Sequence, residues 1–221
     1  MDKEIFDSVD RYILKLVGEE DEALRAADRS ITEEKMPPIS VSANQGKFLH
    51  VLARTCRAKK ILEIGTLAGY STIWMARALP QDGKLISLEF DSNHARVARN
   101  NIERAGLGKI VDIRIGKAID LLPQLQANND GPFDMIFIDA DKPPYTEYFQ
   151  WSLKLAHPGT LIIADNVIRE GNVLDPSSTD EMVQGVRRFN EYLSQTKSVT
   201  ATIIQTVGAK LHDGMALAIV N

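Results

Sequence analysis

The stretch KKILEIGTLAGYSTIWMARAL, residues 59–79, decides the fold of this chain. Its first part, KKILEIG, is a short apolar run that predicts a buried strand, and YSTIWMARAL predicts a helix. Between them, Gly65 and Gly69 predict a turn in which the backbone can come close to a ligand. The stretch therefore predicts one strand–turn–helix unit with a binding loop at its centre.

The same alternation of strand and helix continues along the chain. Further apolar runs that predict strands, each followed by a helical pattern, cover 83–90, 110–116, 133–140 and 159–166. The last two runs, 199–207 and 214–220, are joined only by the polar stretch 208–213, so they predict an antiparallel hairpin. We therefore expect an α/β fold: a doubly wound, Rossmann-like, seven-stranded sheet, mostly parallel with a C-terminal antiparallel hairpin strand, plus N-terminal helices.

The first 40 residues differ from this pattern. Residues 5–17 carry apolar side chains at helical spacing, and a second, more polar helix is predicted for 19–30. An amphipathic helix of the first kind needs an apolar surface to pack against. Ser42 and Gln45 have the spacing of a capping box, which predicts that the next helix begins there.

Length and composition limit the classes of protein to consider. The chain has 221 residues, so we expect one domain, with an N-terminal helical segment at 1–40 and a core at 41–221. The formal net charge of −4 argues against a nucleic-acid partner, since phosphate binding needs clustered Lys and Arg. No stretch has the character of a signal peptide or membrane span. We expect a cytoplasmic protein with no membrane partner.

Two acids stand at strand ends, where open α/β sheets bind their ligands. Glu63 precedes the Gly65–Gly69 turn, which lacks Lys and Arg and has the spacing G-x-x-x-G instead of the dinucleotide pattern. A carboxylate there would repel a pyrophosphate but suits an ammonium or sulfonium group. Glu89 ends the second strand, in position to accept hydrogen bonds from ribose hydroxyls. Each feature could also be a plain turn or a surface acid.

Oxygen donors end the fourth and fifth strands. If these strands are neighbours, Asp139, Asp165 and Asn166 converge, and a set of oxygen ligands suits Mg²⁺. The four histidines stand elsewhere in the pattern, and none is predicted to join. The alternative is that these side chains are solvated strand ends or helix caps. Lys142 follows at once; beside a cation its ammonium form is disfavoured, so it is the predicted general base.

These residues together resemble the cation-dependent O-methyltransferases, the group of catechol and caffeoyl-coenzyme A O-methyltransferases. The motifs that carry the resemblance are LEIGTLAGYS, LEFD, IDADK and ADN. It implies S-adenosylmethionine as methyl donor and Mg²⁺ as metal, with Mn²⁺ or Ca²⁺ as alternatives. The cofactor-binding residues that it implies are Val41, Glu63, Gly65, Ser71, Glu89, Gly116, Ala118 and Asp139. Asp139, Asp165 and Asn166 match the metal ligands, and Lys142 matches the catalytic lysine.

The resemblance also implies a reaction and an assembly. The acceptor would be a small phenol with a vicinal diol, and Lys142 would take the proton of the hydroxyl to be methylated. Residues 1–40 would form a lid or the contact of a homodimer. Two departures stand out. In the catechol enzyme, a proline gatekeeper stands in the loop after the metal-binding Asp-Asn pair, whereas Arg169 and Glu170 stand in that area here, which implies a more polar acceptor or one held elsewhere. The hairpin loop at 208–213 is also longer than the turn common in relatives.

Three rival functions remain open from the sequence. An NAD(P)-dependent oxidoreductase could use a similar sheet, although the glycine spacing and Glu63 argue against it. A protein that binds S-adenosylmethionine without catalysis would not need Lys142 and the three oxygen donors. A nucleic-acid methyltransferase would need a basic surface, for which the composition gives no sign.

Overall fold

The structure is a computed structural model that describes residues 3–18, 20–208 and 211–221. In that part of the chain, helices and strands alternate as follows. The helices are α1 (Lys3–Val17), α2 (Glu22–Glu33), α3 (Ala43–Thr55), α4 (Tyr70–Ala76), α5 (Ser92–Arg104), α6 (Ala118–Ala127), α7 (Tyr145–Lys154) and α8 (Glu181–Gln195). The strands are β1 (Lys60–Ile64), β2 (Lys84–Glu89), β3 (Val111–Ile115), β4 (Phe133–Ile138), β5 (Ala156–Asp165), β6 (Val199–Gly208) and β7 (Leu211–Val220). A 3₁₀ segment, Arg169–Leu174, lies between β5 and α8.

The strands form one seven-stranded sheet in the order β3-β2-β1-β4-β5-β7-β6. Strands β1 to β5 pair in parallel, whereas β7 runs antiparallel to both β5 and β6. This confirms the predicted doubly wound sheet with one reversed strand. The strand order turns back at β1 and β4, and ligands bind outside the carboxyl ends of the strands at such a point.

Side chains of β1 alternate between the two faces of the sheet and join a different core on each. Ile61 packs with Trp74 among the apolar residues of α3, α4 and α5. Leu62 and Ile64 pack with Phe189 among those of α6, α7 and α8. Each such fully buried side chain contributes about 1.5–3 kcal/mol. Two cores of this kind hold the sheet rigid, so its strand ends can position a site.

The N-terminal helices lie on the outside of this sandwich. Helix α2 packs against α4 and α5, and its capping residue Asp21 pairs with Arg77, the C-cap of α4. Helix α1 lies beside α3 and the edge strand β6. Ser42 and Gln45 form the predicted capping box at the start of α3. The chain segment between α2 and α3 thereby crosses the carboxyl ends of the strands.

The predicted hairpin loop was too long. The structure extends β6 to Gly208 and begins β7 at Leu211, so that Val207 pairs with His212 and Thr206 with Asp213. Residues 209 and 210 lie outside the described part. The polar side chains of 212–213 resemble a loop in sequence, but strand membership is decided by the ladder with a neighbour. None of the helices described is long and apolar enough to cross a membrane.

Candidate active site

A cavity of about 850 Å³ lies outside the carboxyl ends of the first four strands. Seven of the eight predicted cofactor residues line it: Val41, Gly65, Ser71, Glu89, Gly116, Ala118 and Asp139. They come from separate parts of the chain and meet because parallel strands bring their carboxyl ends to the same edge. Their contacts with a cofactor stay predictions, but the structure does bring these residues together.

The turn at Gly65 lines this cavity with Gly65, Thr66 and Leu67. Gly65 has a φ of 93° and donates its N–H to the carbonyl of Leu88, 2.8 Å away. A Cβ at this position would overlap the carbonyl oxygen of Asp139. Glycine is therefore required twice, for the left-handed backbone and for the close approach to β4.

Glu63, the eighth predicted cofactor residue, lies below the turn and not on the cavity wall. Its side chain is fully buried and accepts hydrogen bonds from the hydroxyls of Ser71 (2.6 Å), Thr72 (2.5 Å) and Ser87 (2.6 Å). Burial raises the pKa of Glu63 to about 7, although the three hydroxyls act in the opposite direction. Its observed contacts orient Ser71, which does face the cavity.

Glu89 fastens the same turn from the neighbouring strand. Its Oε2 accepts the backbone N–H groups of Thr66 (3.1 Å) and Leu67 (3.0 Å), and its Oε1 accepts that of Asp91 (3.0 Å). Each carboxylate oxygen can accept more than one hydrogen bond. The carboxylate can therefore bind a hydroxyl in the cavity while it holds the turn.

A second cavity, of about 580 Å³, adjoins the first. The residues that line both cavities are Ile39, Ser40, Val41, Asp139, Asn166 and Arg169. Asp165 lines only the second cavity. Asp139 and Asn166 thus lie at the boundary, and Asp165 lies on the second-cavity side of it, as the pairing of β4 with β5 allows. Asn166 has a φ of 58°, a conformation that asparagine tolerates better than most residues.

Asp165 is almost fully buried, at 2% exposure. Burial, reinforced by the negative charge of Asp139, raises the pKa of Asp165 to about 8. Two carboxylates and one amide make up the predicted set. Among the described residues, no group of three or more His, Cys, Asp or Glu side chains could hold a metal. The predicted set has only two such side chains, because its third member is an asparagine.

Lys142, in the loop after β4, lines the first cavity beside Asp139. Its ammonium group is buried, at 4% exposure for the residue, and lies 3.1 Å from Asp139 Oδ1 and 2.5 Å from the hydroxyl of Tyr145. A Cβ on Gly185 of α8 would overlap the carbonyl oxygen of Lys142, so α8 presses directly on this loop. The backbone of Lys142 is thus held by α8, and its side chain by Asp139 and Tyr145.

The sequence did not point to two residues that shape the site. Tyr145, three residues after Lys142, is fully buried, and burial raises its pKa well above the usual range. Its hydroxyl therefore keeps its proton, which can be donated to the Asp165 carbonyl at 3.1 Å. Asp213, from the predicted hairpin loop, accepts the backbone N–H groups of Ile168, Arg169 and Gly214 on one oxygen. Spacing could have suggested Tyr145; nothing local predicted Asp213.

Comparisons with known proteins agree with this geometry. The O-methyltransferase family profile matches residues 15–220. The chain is 66% identical over 221 residues to a catechol O-methyltransferase of Niastella koreensis, covering all of both chains. It is 32% identical over 199 residues to caffeoyl-CoA O-methyltransferase 2 of Zea mays, covering 88% of this chain and 75% of that one. The O-methyltransferase TomG from Streptomyces achromogenes, involved in tomaymycin synthesis and solved with SAM, superposes with a TM-score of 0.97 at 49% identity, covering 100% of this chain and 99% of that chain.

The chain therefore belongs to the family of S-adenosylmethionine-dependent O-methyltransferases that includes the catechol and caffeoyl-CoA enzymes. This confirms the resemblance and sets aside the oxidoreductase alternative.

Proposed function

We propose that this protein methylates one hydroxyl of a small aromatic vicinal diol, with S-adenosylmethionine as donor and a divalent cation as activator. The observation that supports this most is the position of Lys142. Its ammonium group lies 3.1 Å from Asp139 Oδ1, and Asp139 lines both cavities. Lys142 itself lines the first cavity, so its amine form would lie beside an acceptor bound next to Asp139.

The donor chemistry of Asp139, Asp165 and Asn166 fits a hard divalent cation. Two carboxylates and an amide oxygen suit Mg²⁺, with Mn²⁺ or Ca²⁺ as alternatives, because these ions prefer oxygen ligands and keep positions open for others. Burial, and after it the negative charge of Asp139, raises the pKa of Asp165, so a cation beside the two acids would relieve their repulsion. When bound, the ion would lower the pKa of an acceptor hydroxyl.

The first cavity fits the methyl donor in size and in charge. Its volume of about 850 Å³ lies within the usual range for small-molecule sites. The Gly65 turn contains no cation, and Glu89 offers a carboxylate at the wall. We propose that Glu89 binds the ribose hydroxyls, that Ser71, Gly65 and Val41 bind the amino-acid part, and that Gly116 and Ala118 border the adenine. When bound, the donor would supply the electrophilic methyl group of its sulfonium: the bond from the acceptor oxygen to this methyl would form as the carbon–sulfur bond breaks, and the electron pair would stay on sulfur.

The chain's own residues then prepare the acceptor. Lys142, in its amine form, takes the proton of the hydroxyl to be methylated, so that the oxygen becomes the nucleophile. Tyr145 and Asp139 hold the Lys142 nitrogen in place. Most of the rate comes from the fixed placement of acceptor and donor in two adjoining cavities.

The experiment is methyl transfer from labelled S-adenosylmethionine to a panel of vicinal diols, with Mg²⁺ or with EDTA. We expect turnover only with the ion. Lys142→Met should lower kcat by about 10²–10⁴-fold, the usual contribution of a general base. Calorimetry should show that this variant still binds the donor.

Glu191→Ala, an exposed change on α8, is the matched control. Full turnover in EDTA together with full turnover by Lys142→Met would overturn the proposal. Donor binding without turnover on any diol would instead favour a non-catalytic binding protein.

We further propose that two copies of this chain form a homodimer through α1 and the edge strand β6. Five apolar side chains of α1 are about half exposed or more: Ile5, Val9, Tyr12, Leu16 and Val17. Apolar side chains of the neighbouring β6 are also exposed. Exposed apolar side chains on two neighbouring elements favour a protein–protein contact. The cytoplasmic location stays a prediction from the sequence.

A further inference from the structure

Arg169 is the only Lys, Arg or His side chain among the described residues that line the second cavity. It also lines the first cavity. It follows the predicted metal ligand Asn166 by three residues, on the same turn. A single guanidinium therefore lies at the boundary of the two cavities, where the proposed acceptor would bind.

The backbone of Arg169 is held in place. Arg169 and Glu170 have φ values of 52° and 57°, in the left-handed region that ordinary residues rarely adopt. Asp213 holds this conformation, since its Oδ1 accepts the N–H of Ile168 at 3.0 Å and that of Arg169 at 2.9 Å. A strained conformation persists only where surrounding contacts fix it, and it tends to mark functional sites.

The guanidinium of Arg169 has no partner among the described residues. It makes no ion pair or hydrogen bond there, and its Nε is buried without an acceptor. Five acids line the second cavity: Asp10, Asp139, Asp165, Glu170 and Asp213. Four of them have other partners, since Asp213 and Asp165 accept backbone N–H groups, Asp139 pairs with Lys142 and Asp10 accepts from Asn44. Glu170 is exposed and forms no ion pair with Arg169 among the described residues. Arg169 is half-buried, and of its side-chain nitrogens Nε is the buried one that lacks an acceptor. A buried N–H without an acceptor destabilises the fold, and a carboxylate oxygen from outside the chain would supply one.

We propose that Arg169 is a specificity-determining residue that binds a carboxylate of the acceptor, and that the preferred acceptor is an aromatic vicinal diol bearing an acid group. The inference rests on the proposed function and narrows its substrate class. The planar fork of arginine matches a carboxylate with two parallel hydrogen bonds. It also agrees with the polar residues found here in place of an apolar gatekeeper.

The test compares three acceptors with the same diol: catechol, 3,4-dihydroxybenzoate and dopamine, which are neutral, anionic and cationic beyond the diol. We expect the wild type to show the highest kcat/KM with the acid. Arg169→Gln should lower the ratio of kcat/KM for the acid to that for catechol by about tenfold to hundredfold, mainly through KM, as for loss of a charged hydrogen bond. Arg169→Lys keeps the positive charge but lacks the two parallel donors of a guanidinium. Its ratio should therefore lie between those of the wild type and Arg169→Gln.

Arg54→Gln is the control for loss of one positive charge, because Arg54 is exposed on α3 and lines neither cavity. An unchanged ratio in Arg169→Gln would overturn the proposal, as would a preference of the wild type for dopamine. An unchanged ratio with weaker donor binding would instead place the carboxylate of S-adenosylmethionine on Arg169.

A binding measurement separates this inference from the proposed function. Calorimetry of 3,4-dihydroxybenzoate with the wild type and Arg169→Gln, in the absence of donor, needs no turnover. If no diol is methylated, the proposed function fails, yet weaker binding by Arg169→Gln still supports the role of Arg169. Equal binding by both proteins contradicts it.

Discussion

Glu63 is an acid whose side chain is fully buried and has no contact with water. The pKa of Glu63 is raised to about 7 from an ordinary value of 4.5, chiefly by burial. Between these two pH values the folded protein keeps a proton that the unfolded chain releases. Stability should therefore fall as pH rises through this window and level off above about pH 7, with a slope of at most about 1.4 kcal/mol per pH unit from this group.

Glu63→Gln cannot ionise, so it should remove this part of the pH dependence. We expect it to be more stable than the wild type near pH 8, with a difference that shrinks toward pH 5. Urea unfolding across that range measures the effect. Glu191→Gln, a change at an exposed acid, should follow the wild type. Parallel curves for the wild type and Glu63→Gln would show that the acid is not protonated in the folded state.

The turn after β5 connects the site to the last strand of the sheet. Asp213 of β7 accepts three backbone N–H groups on one oxygen, two of them from this turn. Asn166 lies at the start of the same turn, with its N–H bonded to Asp165 Oδ1 at 2.8 Å. Strand β7 thus holds the turn that carries the proposed metal ligand Asn166.

Asp213→Ala should leave those N–H groups without an acceptor and lower stability by about 1–3 kcal/mol. Because the turn would loosen, it should also weaken Mn²⁺ binding, measured by electron paramagnetic resonance without substrate. Asp213→Asn keeps an acceptor oxygen and should lose less of both. Asp175→Ala, in the same segment but at neither cavity wall, is the control. A loss of stability with unchanged Mn²⁺ affinity would limit Asp213 to a folding role.

At the scale of the whole molecule, the exposed apolar face of α1 is the proposed contact of the homodimer. Tyr12 and Leu16 are 64% and 62% exposed, and α1 lies against the edge strand β6. Replacing both residues by Glu should turn a dimer into a monomer, because burying two charges at the interface is unfavourable. Light scattering after gel filtration measures the mass.

Ile115→Glu serves as the control for this pair, since Ile115 is 45% exposed at the end of β3, the opposite edge of the sheet. It should leave the mass unchanged. A monomeric wild type, or a dimer that survives both α1 changes, would contradict the proposed assembly.

The sequence by itself determined the order of the elements and the sheet class. Apolar periodicity and glycine turns are local signals, and they predicted the strand–helix units and the start of α3 at Ser42. The acids at strand ends could also be predicted to meet, because parallel strands bring their carboxyl ends to one edge. The hairpin boundaries were wrong, since the 212–213 region takes its strand conformation from a ladder with β6.

Only the tertiary structure decided how side chains at those ends are used. Glu63 and Glu89 look alike in sequence, yet one is sealed beneath the turn and the other faces the cavity. Asp213 stands 44 residues from Arg169 along the chain and still fixes its backbone. Burial and hydrogen bonding between distant segments depend on how the sheet and helices pack, and this packing cannot be predicted from the local sequence around each residue.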